Sequence, residues 1–328
     1  MNDFAGRRVA VTGASGFIGG RVVERLVLGT GAEVRALVRG YGRAARLSVL
    51  PQERLAFRTV DLDAPQSLRR ALDGCDLVVH CAFGSQGEVD DRWRTTVDGT
   101  ANLLDAAKLA GVGRLVHLST VDVYDTSGLT RFDESAPALG EDAEDREYEQ
   151  QKAAAERLVL AAHGDGPETV VLQPGVVYGP WGGQWTVAQL TRPAEEFEEL
   201  PVAGAGGACN AVYVDDVVDA VLAALAEPAA AGRKFLVGGP DRPGWGEFFD
   251  RLRGIRGLPA PAGAPAGAPA GGAVPDWEQA LYASPARVDT ALAARLLAAP
   301  RTTLDEGMTR TAEWARWAGY GAPGGTGR

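Results

Sequence analysis

The stretch RVAVTGASGFIG, from Arg8 to Gly19, decides how this chain folds. Arg8-Val9-Ala10-Val11 reads as a buried strand ending at Thr12-Gly13. From residue 17 to 29 the apolar period changes, with Ile18, Val22 and Leu26 at helical spacing. The join carries Gly13, Gly16 and Gly19, a G-x-x-G-x-x-G spacing. Glycines let such a turn tighten and let its backbone approach a diphosphate, while the helix N-terminus offers free N–H groups and the positive end of its dipole. With 43 glycines in 328 residues, the spacing alone is weak evidence, and a plain strand–helix turn is the bland reading. The order strand, turn, helix favours a dinucleotide site held by Gly13, Ser15, Gly16, Phe17 and Ile18.

The same rhythm continues outward. Further strand patterns lie at 33–38, 55–60, 77–80 and 114–119, with helical patterns at 65–72 and about 93–110. Strand–helix alternation predicts an α/β fold with a doubly wound parallel sheet. In the second half, a helix from about 145 to 162 is followed by strands at 169–172 and 234–237. The less regular remainder is assigned to a smaller substrate-side lobe. Residues 259–275, PAPAGAPAGAPAGGAVP, cannot build a packed core and read as a mobile loop or linker.

The end of the second strand selects the cofactor. An acidic residue there would bind the adenosine ribose, whereas an arginine would receive a 2′-phosphate. The sequence has Val38-Arg39, with Arg43 beyond, so NADP(H) is expected over NAD(H). A solvated surface arginine is the bland alternative.

Tyr148 and Lys152 stand four apart in a helical stretch, on one face. Only three lysines occur among 328 residues, which makes a chance pair rare. A phenol is a poor acid or base at neutral pH, and a neighbouring ammonium draws its pKa down. Tyr148 is thus expected to pass a proton to or from a substrate oxygen, with Lys152 tuning it and holding the nicotinamide ribose. The fifth strand ends at Ser119-Thr120, where the active crevice of a parallel sheet lies. Thr120 is the expected hydroxyl for the substrate oxygen; Ser119, or a hydroxyl that merely caps the strand, are the alternatives.

Composition narrows the classes. A formal charge of −10 offers no basic surface for nucleic acid. No apolar run nears the ~20 residues that cross a bilayer, and no signal peptide is read at Met1-Asn2-Asp3-Phe4. Cys75, Cys81 and Cys209 with His80, His117 and His163 form no metal-binding spacing, so no metal is expected. Sparse cysteines suit a reducing cytoplasm. His80 and His117 read as buried core residues, and Asp215-Asp216 as caps of a helix over 217–226.

Seven motifs in order carry a family resemblance: TGASGFIG at 12–19, DLD at 61–63, VDGTANLLDAA at 97–107, GVGRLVHLSTVDVY at 111–124, YEQQK at 148–152, QPGVVYGP at 173–180 and VYVDDVVDA at 212–220. The chain resembles the extended short-chain dehydrogenase/reductase family, nearer its dihydroflavonol-reductase-like branch. The resemblance implies a Rossmann domain over mainly 1–175, with a strand and helix returning around 211–240. A substrate-binding lobe would take 176–210 and 241–328. It also implies Asp61 and Leu62 beside the adenine, Cys81, Ala82 and Phe83 lining the cofactor, and Pro174 and Val177 flanking the nicotinamide. A homodimer packed through the two long helices is implied as well.

The departures bear on function. Thr120 is followed by Val121-Asp122, not the Asp-Glu of nucleotide-sugar 4,6-dehydratases. Cys209 stands where many epimerases place a diphosphate-gripping arginine, and a neutral thiol cannot clamp a diphosphate. Thr96 and Gln173 replace the family's usual asparagine and arginine. The leading expectation is an NADP(H)-dependent carbonyl reductase, or alcohol dehydrogenase, for a small or medium organic substrate. A nucleotide-sugar epimerase or dehydratase with tightly bound cofactor, and a non-catalytic dinucleotide-sensing protein, are the alternatives.

Overall fold

The computed structural model describes residues 4–140, 146–198, 200, 206–259 and 276–320. The chain opens with β1 (Arg8–Thr12), α1 (Phe17–Gly29), β2 (Glu33–Val38), β3 (Leu55–Thr59), α2 (Pro65–Leu72) and β4 (Leu77–His80). Then come α3 (Val89–Trp93), α4 (Gly99–Leu109), β5 (Arg114–Leu118), β6 (Arg131–Phe132), α5 (Glu147–Ala161), β7 (Glu168–Pro174) and β8 (Val176–Tyr178). After α6 (Ala188–Thr191) and α7 (Ala194–Glu198) follow β9 (Ala211–Tyr213), α8 (Val214–Ala226), β10 (Arg233–Val237) and α9 (Trp245–Arg256). The described chain closes with α10 (Asp276–Ala283), β11 (Arg287–Val288), α11 (Ala291–Leu296) and α12 (Leu304–Trp317).

Seven strands form one sheet in the order β10-β7-β5-β4-β1-β2-β3. Every pairing in it is parallel. Continuous apolar runs build it because helices cover both faces: Val9, Ala10 and Val11 of β1 and Val78 and Val79 of β4 are wholly buried. Strand order reverses between β1 and β4, which opens a crevice at the C-terminal edge. Register brings Thr12 beside His80, and His80 beside His117, at that edge.

α1 packs Val22, Val23, Leu26 and Val27 onto the sheet. Each such buried side chain contributes about 1.5–3 kcal/mol relative to exposure. Arg21 and Arg25 on its outer side pair with Asp215 and Asp219 of α8. A second apolar core gathers Tyr178, Tyr213, Trp245, Phe248, Phe249, Tyr282 and Met308 beyond the sheet. There Trp185 packs on Trp245 at 5.1 Å between ring centres.

One expectation is refined, one is revised, and one falls outside the described residues. The helix expected over 93–110 is continuous but carries a π-turn: α3 runs to Trp93, the π-turn spans Arg94–Asp98, and α4 follows from Gly99. The extra residue of the π-turn accompanies close packing, since a Cβ on Gly99 would lie 2.8 Å from Leu62 Cβ. Asp215 and Asp216 do not cap their helix, which already begins at Val214. Asp216 instead accepts the backbone N–H groups of Arg301 and Thr302, each at 3.1 Å. Of the Pro/Ala/Gly segment, residues 260–275 lie outside the described residues.

Candidate functional site

The glycine turn is shaped by close approach. Gly13 has φ +64°, and a Cβ there would lie 2.8 Å from the backbone of Cys81 and Ala82. A Cβ on Gly19 would overlap Gly13 O. The turn thus presses directly onto the end of β4. Thr12 Oγ1 sits 2.7 Å from His80 Nδ1 and accepts the Ala82 N–H at 3.2 Å. His80 Nε2 meets Thr100 Oγ1 at 2.9 Å. Burial first, and the Lys152 charge second, lower the His80 pKa to about 3, so the ring is neutral.

α1 starts without a side-chain cap or an acidic residue in its first turn. Its first N–H groups therefore remain available to an anion, with Ser15 and Gly16 exposed at the tip. A cradle that side chains would fill, above uncapped N–H groups, fits a dinucleotide diphosphate. Phe17 is partly buried beneath the turn that follows β8, where a Cβ on Gly182 would lie 3.2 Å from its ring. Within that turn Trp181 takes φ +70° and stacks near the Arg46 guanidinium at 5.5 Å.

Arg39 follows β2 directly and is exposed. Arg43's side chain lies outside the described residues. Asp61 is exposed and accepts the Asp63 N–H at 3.0 Å; Leu62 is buried beneath Gly99. Burial pushes the Cys81 thiol up to about 12, which makes it unreactive. Ala82 packs beside it. The Phe83 ring stands 5.8 Å from the Tyr148 ring and 5.8 Å from Lys152 Nζ. Pro174 ends β7, and Val177 lies in β8 between the two cores.

α5 places Tyr148 and Lys152 on the crevice side. Lys152 is buried, and its ammonium donates to Leu118 O at the end of β5. Burial lowers its pKa to about 8, with Cys81 and Glu156 opposing the shift. The Tyr148 residue is 42% exposed, yet its hydroxyl end is enclosed. That enclosure, then Asp122 and Glu149, raise its pKa; a hydrogen bond with Thr120 works the other way. The expected depression by Lys152 is not among the influences on the Tyr148 hydroxyl in the free protein, where the ammonium donates to Leu118 O.

The two candidate hydroxyls differ in their commitments. Ser119 Oγ donates to Glu156 Oε2 at 2.6 Å. Thr120 Oγ1 donates to Asp122 Oδ2 at 2.7 Å and is the one that meets Tyr148.

Sequence reasoning missed three groups. Glu156 is buried one turn beyond Lys152, at the same i+4 spacing that flagged Tyr148, and that spacing was the available signal. Asp122 borders Thr120 and Tyr148 with a raised pKa, chiefly from burial. Arg92 holds both oxygens of Glu147 at 2.9 and 2.6 Å, anchoring the residue before Tyr148. Gln151 and Thr96 link that pair to Gly84, whose N–H donates to Thr96 Oγ1 at 2.9 Å. Thr96 thus serves a structural bond across the crevice wall.

Cys209 is buried, and the Arg287 guanidinium of β11 acts on its thiol. A cavity of about 230 Å³ lies there, lined by Cys209, Asn210, Asp241, Arg242 and Arg287 among others. A guanidinium from β11 thus lines the cavity beside Cys209. Among the described residues no cluster of His, Cys, Asp and Glu could hold a metal, and no helix is long and apolar enough to cross a membrane.

Residues 9–238 match the model of the NAD dependent epimerase/dehydratase family. Over 175 residues the chain is 35% identical to a 4-hydroxy-2-methyl-3-oxo-4-farnesyl-3,4-dihydroquinoline-1-oxide ketoreductase of Stigmatella aurantiaca, covering 52% of this chain and 51% of that protein. Over 260 residues it is 30% identical to a 2-alkyl-3-oxoalkanoate reductase of Stenotrophomonas maltophilia, covering 77% and 76%. Among solved structures, a dTDP-glucose 4,6-dehydratase double mutant of Streptomyces venezuelae with NAD bound superposes with TM-score 0.72 at 25% identity, covering 94% of this chain and 97% of that one.

Proposed function

The chain belongs to the NAD dependent epimerase/dehydratase family, and from that premise we propose that it is an NADP(H)-dependent carbonyl reductase, running as an alcohol dehydrogenase in reverse, for a small or medium organic substrate. The observation that carries this reading is the Tyr148 hydroxyl coupled to Thr120 at the carboxyl edge of the sheet, one helical turn from the buried Lys152, with the Phe83 ring packed against both. Relatives named as ketoreductase and oxoalkanoate reductase support it. Arg39, at the end of β2 with no carboxylate after it until Glu53, supports NADP(H) over NAD(H).

The bound nicotinamide supplies the hydride. The uncapped start of α1, with Gly13, Ser15, Gly16, Phe17 and Ile18, would hold the diphosphate. Arg39 would take the 2′-phosphate, and Asp61 and Leu62 the adenine side. Cys81, Ala82, Phe83, Pro174 and Val177 would line the nicotinamide end, with Lys152 on the ribose. Tyr148 donates the proton to the substrate oxygen, and Thr120 orients that oxygen. A phenol held above its ordinary pKa is fully protonated at neutral pH, which suits donation and therefore reduction. The elements around the second core would shape the substrate lobe. A homodimer through α4 and α5, in the reducing cytoplasm, completes this reading.

The test is a panel of ketones and 3-oxoesters followed by loss of NADPH absorbance. Turnover is expected with at least one carbonyl, and Tyr148→Phe should lower it about 10²- to 10⁴-fold with cofactor affinity kept. NADPH binding without oxidation across the panel would sink the reductase and favour a sensing role. A second reading has its own support. Arg287 beside Cys209 offers a guanidinium for a diphosphate-linked substrate, as an epimerase or dehydratase would need. Purification with cofactor already bound, and sugar-nucleotide conversion without net redox change, would favour it.

A further inference from the structure

Thr120 carries one proton, and in this structure that proton is committed. Its hydroxyl donates to Asp122 Oδ2 at 2.7 Å, while its oxygen accepts the Asp122 N–H at 3.2 Å. Thr120 precedes the 3-10 turn Val121–Val123, which folds the carboxylate back over the hydroxyl. With Asp122 ionised, Thr120 has no proton left for the crevice, where the Tyr148 hydroxyl is its neighbour.

A carbonyl oxygen has no proton to give. It needs donors, and an ionised Asp122 leaves it Tyr148 alone. A protonated Asp122 reverses the bond: its O–H donates to Thr120 Oγ1, and the Thr120 O–H is released toward the substrate oxygen. An alcohol brings its own proton and is served by an accepting Thr120.

We propose that Asp122 is a positioning residue whose proton sets the direction of the Thr120 hydroxyl, so that the protonated site favours carbonyl reduction and the ionised site favours alcohol oxidation. This rests on the reductase reading.

The groups facing Asp122, among the described residues, come from its own turn and from α5 and the residue before it. Thr120 and the Arg146 charge stabilise the ionised form, Arg146 also reaching Asp122 O at 3.5 Å. Arg146 is shared with Glu149 at 2.9 Å, and Glu149 opposes ionisation. Tyr148 stands against the same carboxylate. Burial outweighs these and raises the Asp122 pKa, which places the reversal above the pH range of exposed aspartates.

Two measurements on the full chain decide it. The first is an infrared pH titration of the cofactor-free protein. A protonated-carboxyl stretch should persist above the range where exposed aspartates ionise, and Asp122→Asn should remove it. If the band removed by Asp122→Asn has vanished within the ordinary aspartate range, the proposal is overturned. The second uses NADPH with ethyl 3-oxobutanoate as probe. kcat/KM for reduction should fall about tenfold per pH unit above the Asp122 midpoint. Asp122→Asn should be flat until Lys152 loses its proton near pH 8, because the amide donates to Thr120 at every pH. Thr120→Ser should keep the Asp122 limb, and Thr120→Val should lose it. An unchanged limb in Asp122→Asn or in Thr120→Val overturns the proposal. Should the probe fail to turn over at any pH, the reductase reading fails for it, and the infrared titration still decides the state of Asp122.

Discussion

The Gln173 amide donates to both oxygens of the buried Glu156 carboxylate, at 3.0 and 2.9 Å. Its own carbonyl accepts the Tyr124 hydroxyl at 2.9 Å, and Ser119 donates to Glu156 from the other side. Gln173 is where the family usually places an arginine, so a neutral side chain satisfies this carboxylate by hydrogen bonding in place of charge pairing. Gln173→Leu removes two hydrogen bonds from Glu156 and leaves Tyr124 with only the long bond to Glu134 O at 3.5 Å. It should destabilise the protein by about 2–4 kcal/mol, as each unsatisfied buried polar group costs about 1–3. Urea denaturation at neutral pH measures this, and a change below about 0.5 kcal/mol would mean that the network contributes little.

In the proposed function Arg39 takes the 2′-phosphate. Arg39→Asp should weaken NADPH binding about 10- to 100-fold, the range of one charge-assisted hydrogen bond lost, and leave NADH binding equal or better. Titration of both cofactors by fluorescence reads the ratio. Equal affinity of the parent protein for the two would refute the assignment.

Lys152 titrates near pH 8 in the folded chain, below its ordinary 10.5. The ammonium is therefore lost as pH rises through 8, and NADPH affinity should drop there. Stability moves the opposite way. Between about pH 8 and 10.5 the unfolded chain binds a proton that the folded chain does not, so this residue's contribution to stability rises with pH. Lys152→Met should abolish both trends. Thermal unfolding from pH 7.5 to 10.5, parent against variant, checks it.

His80 and His117 are both buried, with ring centres 5.0 Å apart and pKa values lowered by burial. Below the ordinary histidine value of 6.5, the unfolded chain takes up protons that these rings refuse, so stability falls as pH drops from 6.5 toward 3. The two differ at neutral pH. His80 bonds Thr12 and Thr100, whereas neither ring nitrogen of His117 has a partner among the described residues. His80→Phe should cost about 1–3 kcal/mol at pH 7, and His117→Phe should be neutral or stabilising. Both should reduce the loss between pH 7 and pH 5 in chemical denaturation.

The strand–helix rhythm, the glycine turn and the Tyr148–Lys152 spacing were all legible in the chain. Each depends on residues close in sequence, where a period of 2 or 3.6 or a four-residue step already states which side chains share a face. The strands from β1 to β10 that form the main sheet fall where their apolar runs lie. Three things depended on residues far apart. Gly99's approach to Leu62 accompanies the π-turn between α3 and α4. The pairing of Glu156 with Ser119 and Gln173 joins α5 to two strands. Arg287 of β11 lines the same cavity as Cys209.

The protonation logic of the site belongs to the second kind. The sequence by itself determined that a phenol and an ammonium would share one helical face, because helix geometry is local. Only the tertiary structure decided what each group experiences, because desolvation and hydrogen-bond direction depend on every element that closes around it. Lys152 turns to Leu118 O, and Tyr148 meets Thr120 and Asp122.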